Sequence, residues 1–255
     1  MRTPGGGGAV FVQAGMQSSP GAPVDPSAAA PAAVPAQQGE ASNSTSGRTA
    51  ELKQACYVGG QWIGARSGAT FAVTDPATGA VIGAAPDCGA EETQAAIVAA
   101  TQALPGWRAR TADDRSNRMM RLHDRMLESI DALAELLVYE NGKPLAEAKG
   151  EIRYGASFIR WFAEEGRRVY GETVPASAPD KRIVVTREPV GVCAMITPWN
   201  FPNAMLARKL AAALAAGCTL VAKPAEETPF SAPAIAALCE QAGIPPGVAD
   251  VGPAA

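Results

Sequence analysis

The chain has 255 residues, which is enough for one large domain or two small ones. It carries 22 Lys and Arg against 25 Asp and Glu, a formal net charge of −3, and no basic stripe runs along it. This balance argues against a nucleic-acid partner. No uncharged apolar run approaches the ~18 residues that a membrane-spanning helix needs, so no membrane partner is expected either.

The composition differs between the N-terminal fifth of the chain and the rest. Residues 1–50 contain 11 Ala, 8 Gly, 6 Pro and 6 Ser, and neither Leu nor Ile. Such a segment buries too little apolar area to offset its ordering entropy. We therefore predict a disordered tail over residues 1–50 and a folded region over 51–255. The tail has neither the Arg-rich amphipathic pattern of a transit peptide nor the apolar stretch of a secretory signal.

The cysteines and the histidine constrain the chemistry. The five cysteines include no C-x-x-C pair, and an odd number argues against a complete disulfide framework. A reducing, cytoplasmic setting fits this usage. The single histidine, His123, leaves no His-rich cluster, so no metal site is predicted.

The first part of the folded region combines strands and helices. Short apolar runs separated by Gly and Asp-Pro turn residues predict strands within residues 56–86. Helical periodicity predicts helices over 90–104, 111–140 and about 145–169. An extended β-branched run within 175–189 then predicts a hairpin that projects from the main body.

The last part alternates between buried strands and helices. Apolar runs predict strands at 191–197, 218–222 and 248–251, and helices over 203–216 and 231–242 separate them. This order is the signature of an α/β fold with a doubly wound parallel sheet. Ligands of such sheets bind beyond the carboxyl ends of the strands.

Two loops at these strand ends form the candidate site. Thr197-Pro198-Trp199-Asn200 follows the first strand, and Lys223-Pro224-Ala225-Glu226 follows the second. A carboxylate at a strand end accepts hydrogen bonds from ribose hydroxyls, and an amide in a dry pocket donates to a developing oxyanion. Taken alone, such an Asn is more often a structural turn residue, and the Lys and Glu are also consistent with a surface ion pair. The chain has neither G-x-G-x-x-G nor G-x-x-x-x-G-K-[ST], so no common nucleotide fingerprint decides between these interpretations.

Longer stretches around these loops resemble the aldehyde dehydrogenase superfamily. The match is carried by Ile196-Thr197-Pro198-Trp199-Asn200-Phe201-Pro202 and by residues 215–229. Upstream, Gly142-Lys143-Pro144-Leu145-Ala146-Glu147-Ala148 and residues 161–166 are similar to the succinate-semialdehyde dehydrogenase branch. The resemblance covers about residues 57–251. It implies that residues 51–255 form an incomplete NAD-binding domain, the N-terminal part of the family's fold.

The resemblance implies a role for each matching residue. Asn200 corresponds to the side-chain donor that stabilises the oxyanion of a tetrahedral thiohemiacetal, and Arg208 to an arginine that binds the distal carboxylate of succinate semialdehyde. Lys223 and Glu226 correspond to the pair that contacts the adenosine ribose, where a Glu accompanies a preference for NAD, with NADP possible. The implied cofactor cleft comprises Ile196, Thr197, Trp199, Asn200, Lys223, Pro224, Ala225 and Glu226. The hairpin, at about 171–189, corresponds to an oligomerisation arm and implies a homodimer or homotetramer.

The implied reaction is the NAD(P)-dependent oxidation of an aldehyde, with succinate semialdehyde as the first candidate, to a carboxylic acid. In the family, the nucleophile is a cysteine in Gly-Gln-x-Cys and the general base is a glutamate in Glu-Leu-Gly-Gly. Neither motif occurs in this sequence. We therefore expect a truncated chain that is inactive alone. The alternative is a non-catalytic truncated product, or a residual module for cofactor binding or assembly.

Overall fold

The computed structural model of the protein describes Val10–Phe11 and residues 53–252. The disorder predicted for residues 1–50 therefore lies outside the described residues, apart from the two-residue strand Val10–Phe11. The ten strands of the described region are β1 Val10–Phe11, β2 Cys56–Val58, β3 Gln61–Ile63, β4 Thr70–Thr74, β5 Val81–Pro86, β6 Glu172–Val174, β7 Ile183–Val185, β8 Val192–Ile196, β9 Thr219–Lys223 and β10 Ala249–Val251. Its α-helices are α1 Ala90–Arg108, α2 Ala112–Glu128, α3 Ile130–Asn141, α4 Leu145–Glu165, α5 Pro202–Ala216 and α6 Ser231–Gln241.

The main sheet has six strands in the order β1-β8-β9-β10-β2-β3. The first four strands of that order run parallel, and the alternation of strands and helices predicts this for β8, β9 and β10. The sheet is nevertheless mixed, because β2 and β3 add to β10 as antiparallel strands. They form a tight hairpin in which Gly59 and Gly60 adopt φ values of +58° and +84°, which Gly reaches without strain. The α/β class is confirmed, with an antiparallel hairpin at one edge of the sheet.

Two further pairs of strands stand apart from the main sheet. β4 and β5 pair as one antiparallel ladder, and β6 and β7 as another. The second pair is the projecting hairpin that the β-branched run predicts. All the residues of its two strands are exposed, so the arm extends away from the core.

Two helix boundaries differ from the sequence-based predictions. α1 continues through Pro105 instead of ending before it, because the buried Trp107 donates a hydrogen bond from Nε1 to the Leu214 carbonyl at 3.2 Å and anchors the last turn. The single helix predicted over 111–140 is two helices that meet at Ser129, whose φ and ψ of −96° and 14° leave the helical region.

The third helix is shorter than predicted: α4 ends at Glu165 and continues only as a short 3₁₀ turn at Gly166–Arg168. α4 and α5 pack against each other in the main core. The buried faces are those that the apolar periodicity predicts: Ile152, Ala156, Ile159 and Ala163 on α4, and Leu206, Leu210 and Leu214 on α5. No helix among the described residues is both long enough and apolar enough to cross a bilayer.

Candidate functional site

The two predicted loops lie side by side at one edge of the main sheet. β8 and β9 are neighbouring parallel strands in which Ile196 pairs with Lys223. The backbone N–H of Thr197 then donates to the Lys223 carbonyl at 3.1 Å, just beyond the end of β8. The structure therefore brings the two loops together, as the parallel arrangement of their strands requires.

The loop after β8 presents a platform of exposed side chains. Ile196 is 61% exposed and Trp199 is 55% exposed, whereas Thr197 is buried. Asn200 is also exposed, and its side-chain amide makes no hydrogen bond within the described region. Both the donor and the acceptor of this amide are therefore free to meet a ligand.

The loop after β9 presents an ion pair. The Lys223 Nζ lies 3.3 Å from Oε2 of Glu226, and both side chains are about half exposed. Pro224 and Ala225 are buried, so only the charged residues project from the loop. Hydrogen bonding from its own backbone N–H, and then from the Lys223 ammonium, lowers the pKa of the Glu226 carboxyl. An ionised carboxylate at the end of a parallel strand fits the ribose hydroxyls of a dinucleotide.

Arg208 lies on α5, and its side chain contacts α4, not these two loops. Its side chain is half-buried, and its guanidinium carbon is 5.7 Å from the centroid of the Phe158 ring on α4. That ring in turn packs edge-on against Tyr154, with 4.6 Å between the ring centroids. Within the described region, the guanidinium makes no hydrogen bond to either loop. Its five N–H donors therefore remain available for a carboxylate.

Sequence reasoning missed a buried carboxylate beneath the loop after β8. Glu151 on α4 accepts hydrogen bonds at Oε1 from the backbone N–H groups of Asn203 and Ala204, at 2.9 and 3.1 Å. It also pairs with Lys143. These contacts cap the N-terminus of α5, whose own N-cap residue, Phe201, has no side chain that could do so. The available signal was the position of Glu151 beside Ile152 on the apolar face of α4.

A second buried carboxylate caps α6 in the same manner. Glu140 on α3 accepts hydrogen bonds from the backbone N–H groups of Phe230 and Ser231, at 2.8 and 3.1 Å, and from the Ser231 hydroxyl. Burial raises the pKa of Glu140 to about 7, although its hydrogen bonds oppose the shift and the charge of Glu151 adds to it. The helices that follow β8 and β9 are thus both held at their N-termini by distant carboxylates.

The cysteines lie away from the candidate site. Cys218 precedes β9 at its amino end, five residues before Lys223, which is roughly 17 Å away at ~3.3 Å per residue. Cys239 is buried in α6, and this burial raises the pKa of its thiol to about 12. Cys193 lies within β8, where a hydrogen bond with Cys218, and then burial, raise its pKa. The structure joins the sulfurs of Cys56 and Cys88. No described cysteine is therefore a free thiol at the end of β8 or β9.

Comparison with known proteins agrees with this architecture. The model of the aldehyde dehydrogenase family matches residues 62–254. Glutarate-semialdehyde dehydrogenase of Pseudomonas aeruginosa is 57% identical over 200 residues, which are 78% of this chain and 41% of the relative. Succinate-semialdehyde dehydrogenase [NADP(+)] of Escherichia coli is 54% identical over 200 residues, 78% of this chain and 42% of the relative.

A solved structure gives the same result for the fold. The crystal structure of succinate-semialdehyde dehydrogenase from Burkholderia pseudomallei matches with a TM-score of 0.80 and 55% identity, over 82% of this chain and 44% of that one. The chain spans about two fifths of the length of the curated relatives described above. From the family match over residues 62–254 and this shared fold, we conclude that the chain belongs to the aldehyde dehydrogenase family.

Proposed function

We propose that this chain supplies the cofactor-binding loops and the oxyanion donor of an NAD(P)-dependent aldehyde dehydrogenase. The observation that carries the proposal is the pairing of Ile196 with Lys223, because it sets the loop of Asn200 beside the loop of Glu226. The substrate that we propose is an aldehyde with a distal carboxylate, succinate semialdehyde first. Two relatives support this class, since their names specify succinate semialdehyde and glutarate semialdehyde.

The cofactor preference rests on one ion pair. The Glu226 carboxylate accepts hydrogen bonds from ribose hydroxyls and repels a 2′-phosphate, which favours NAD. Its own backbone N–H and then Lys223, 3.3 Å away, lower the pKa of this carboxyl, and Lys223 also offers an N–H donor to the ligand. NADP is the alternative, and the name of the E. coli relative specifies it. When bound, the nicotinamide supplies the hydride acceptor for the oxidation.

Two side chains act on the substrate in this proposal. The Asn200 amide donates a hydrogen bond to the aldehyde oxygen as that atom gains negative charge, and loss of such a donor costs about 10²–10³ in rate. The Arg208 guanidinium binds the distal carboxylate through two parallel N–H donors. Its place over the Phe158 ring limits the directions in which those donors point.

The chain alone is expected to bind the cofactor without oxidising the aldehyde. Its sequence has neither Gly-Gln-x-Cys nor Glu-Leu-Gly-Gly. Loss of the nucleophile removes the covalent route to the acid. The second candidate function is a non-catalytic module for cofactor binding or assembly. Release of NADH from succinate semialdehyde at ordinary enzymatic rates would contradict both expectations.

Calorimetric titration with NAD⁺ and NADP⁺ tests the proposed cofactor site. We expect NAD⁺ to bind at least about tenfold more tightly, since the ribose contacts and the repulsion of the 2′-phosphate act together. Glu226→Ser should abolish or reverse this preference. Glu227→Ser changes the neighbouring exposed carboxylate and serves as the matched control. The proposal fails if neither nucleotide binds, or if both variants keep the wild-type preference.

We also propose that the arm formed by β6 and β7 contacts a second copy of the chain, giving a homodimer or homotetramer. The support is the exposure of its apolar residues, which a monomer would leave in water: Val174, Ile183, Val184 and Val185.

A reducing, cytoplasmic location completes the proposal. Three of the five cysteines are free thiols, Cys193, Cys218 and Cys239. The Cα atoms of the other two, Cys56 and Cys88, are 7.9 Å apart, wider than the ~4.4–6.8 Å usual for disulfides. This pair alone therefore does not argue for an oxidising compartment.

A further inference from the structure

The loop after β8 rests on the corner between α3 and α4. α3 ends at Asn141, and the Gly142 that follows, with a φ of +73°, turns the chain into Lys143. The Lys143 side chain is only 10% exposed. Its ammonium group pairs with the Glu151 carboxylate, donates to the Asn200 carbonyl at 3.1 Å and lies 4.4 Å from the centroid of the Phe201 ring. The ammonium thus donates to two oxygen atoms and places its charge over an aromatic ring.

Glu151 is satisfied just as fully. Its side chain is 1% exposed, with Oε2 on Lys143 and Oε1 on the backbone N–H groups of Asn203 and Ala204. Capping α5 needs only an acceptor oxygen, which a neutral Gln also has. A buried ion pair is costly to desolvate, so capping alone does not explain the charge. The charge pair does one further thing: it holds Lys143 against Asn200 and Phe201.

A third side chain from the same corner holds the neighbouring carbonyl. Asn141, the last residue of α3, donates from Nδ2 to the Trp199 carbonyl at 2.9 Å. Two successive carbonyls of the loop, those of Trp199 and Asn200, are thus fixed by one corner of the fold. The backbone of Asn200 is held while its side-chain amide has no hydrogen-bond partner in the described region.

We propose that Asn141, Lys143 and Glu151 form a clamp that positions the Asn200 amide and Trp199 for substrate and cofactor. They are positioning residues, because they contact the loop and not the reacting groups. The inference rests on the proposed function for its consequence in cofactor binding, while the clamp itself can be measured without any ligand.

A double substitution separates positioning from folding. Lys143→Met alone leaves the Glu151 charge buried without a partner and should lower the melting temperature. Adding Glu151→Gln removes that charge but keeps an oxygen for the N-terminus of α5, so most of the lost stability should return. In this double variant the Asn200 carbonyl and the Phe201 ring still lack their cation.

The readout is hydrogen–deuterium exchange of the peptide that contains residues 197–201. In the double variant we expect exchange there to be at least tenfold faster, with the helices unchanged, and NAD⁺ affinity to fall several-fold. Asn141→Ala, which buries no charge, should give a smaller increase at the same residues. Lys149→Met is the matched control, since Lys149 lies on α4, as Glu151 does, but pairs with the exposed Asp131 at 2.6 Å.

Wild-type exchange over residues 197–201 in a double variant of recovered stability would overturn the clamp. If the double variant stays unstable, Asn141→Ala decides alone, and unchanged exchange in it overturns the proposal equally. Failure of the unmodified chain to bind either nucleotide would instead contradict the proposed function. In that case the exchange measurements still test the clamp, so the two failures are distinguishable.

Discussion

Replacing Asp250 with Asn is expected to stabilise the folded chain at neutral pH and to destabilise it by about 1 kcal/mol at pH 4, where only the unpaired N–H of the Asn remains. Asp250 is fully buried on β10. Its Oδ1 accepts a hydrogen bond from the Gly59 backbone N–H at 2.9 Å, whereas Oδ2 has no partner in the described part of the chain. Burial raises the pKa of this carboxyl to about 6, and the Gly59 hydrogen bond opposes the shift.

The sign and size follow from the two pKa values of the group. The pKa of an unfolded Asp is ~3.9, so the folded value of about 6 is higher by ~2 units, or ~3 kcal/mol. Below about pH 4 the group is protonated in both states and costs nothing. As the pH rises from about 4 to about 6, the stability is lost, because the unfolded chain ionises first. Asn keeps the acceptor for Gly59 but leaves an N–H unpaired, at a cost of ~1 kcal/mol, so about 2 kcal/mol should remain as the net gain above pH 7.

Urea unfolding followed by circular dichroism at pH 4, 5, 6 and 7.5 measures this gain. Asp180→Asn, at an exposed position, is the matched control and should change the stability little at any pH. Other buried acids, such as Glu140, titrate alike in the wild type and the variant, so their contributions cancel in the difference. An equal difference at pH 4 and pH 7.5, or a loss of stability at pH 7.5, would refute the reasoning.

Three further perturbations test other parts of the molecule. Glu140→Gln should flatten the fall in stability between about pH 5 and 7 but lower stability at pH 5, because the amide has one oxygen for donors that use both oxygens of Glu140. Those donors are the N–H of Phe230 and the N–H and hydroxyl of Ser231, and unfolding at both pH values measures the change. Val184→Glu should shift the chain to a smaller species in light scattering, and an unchanged mass would exclude the arm from the interface. Trp107→Phe should cost about 1–3 kcal/mol in urea unfolding through a cavity and the lost bond to Leu214, whereas wild-type stability would show that Trp107 does not anchor α1.

The position of the candidate site could be predicted from local sequence. Apolar runs predict β8 and β9, and polar residues and a proline follow each run. The sequence therefore predicts where both strands end. Parallel strands place their carboxyl ends at one edge, which is why the loops after β8 and β9 were expected to form one site, and the pairing of Ile196 with Lys223 agrees with that. Arg208 was assigned by resemblance only, and nothing local indicated its place over Phe158.

What escaped prediction depends on contacts between distant parts of the chain. Pro105 normally ends a helix, but α1 continues because Trp107 bonds to Leu214, 107 residues away. No Gly or Pro marks the break at Ser129, and the apolar periodicity continues through it on both sides. The sequence therefore predicted one helix. The role of Glu151 was missed for the same reason. A charged side chain on a helix is usually solvated, and the N–H groups that donate to Glu151 lie 52 and 53 residues later in the chain.

The distant caps explain how the site loops keep their side chains free. Helices commonly take an N-cap from a Ser, Thr, Asp or Asn in the preceding loop, which ties that side chain to the backbone. α5 and α6 instead have Phe201 and Phe230 at this position. Their first N–H groups donate to the carboxylates of Glu151 on α4 and Glu140 on α3.

Because the capping groups come from another layer of the fold, neither Asn200 nor Glu226 is used to cap the helix that follows it. Both side chains stay exposed at the strand ends, and Lys143 holds the backbone carbonyl of Asn200. The cost of this arrangement is buried charge, which appears as the raised pKa of Glu140 at about 7. Stability and site geometry should therefore both depend on these two carboxylates, although neither one is placed to touch a ligand.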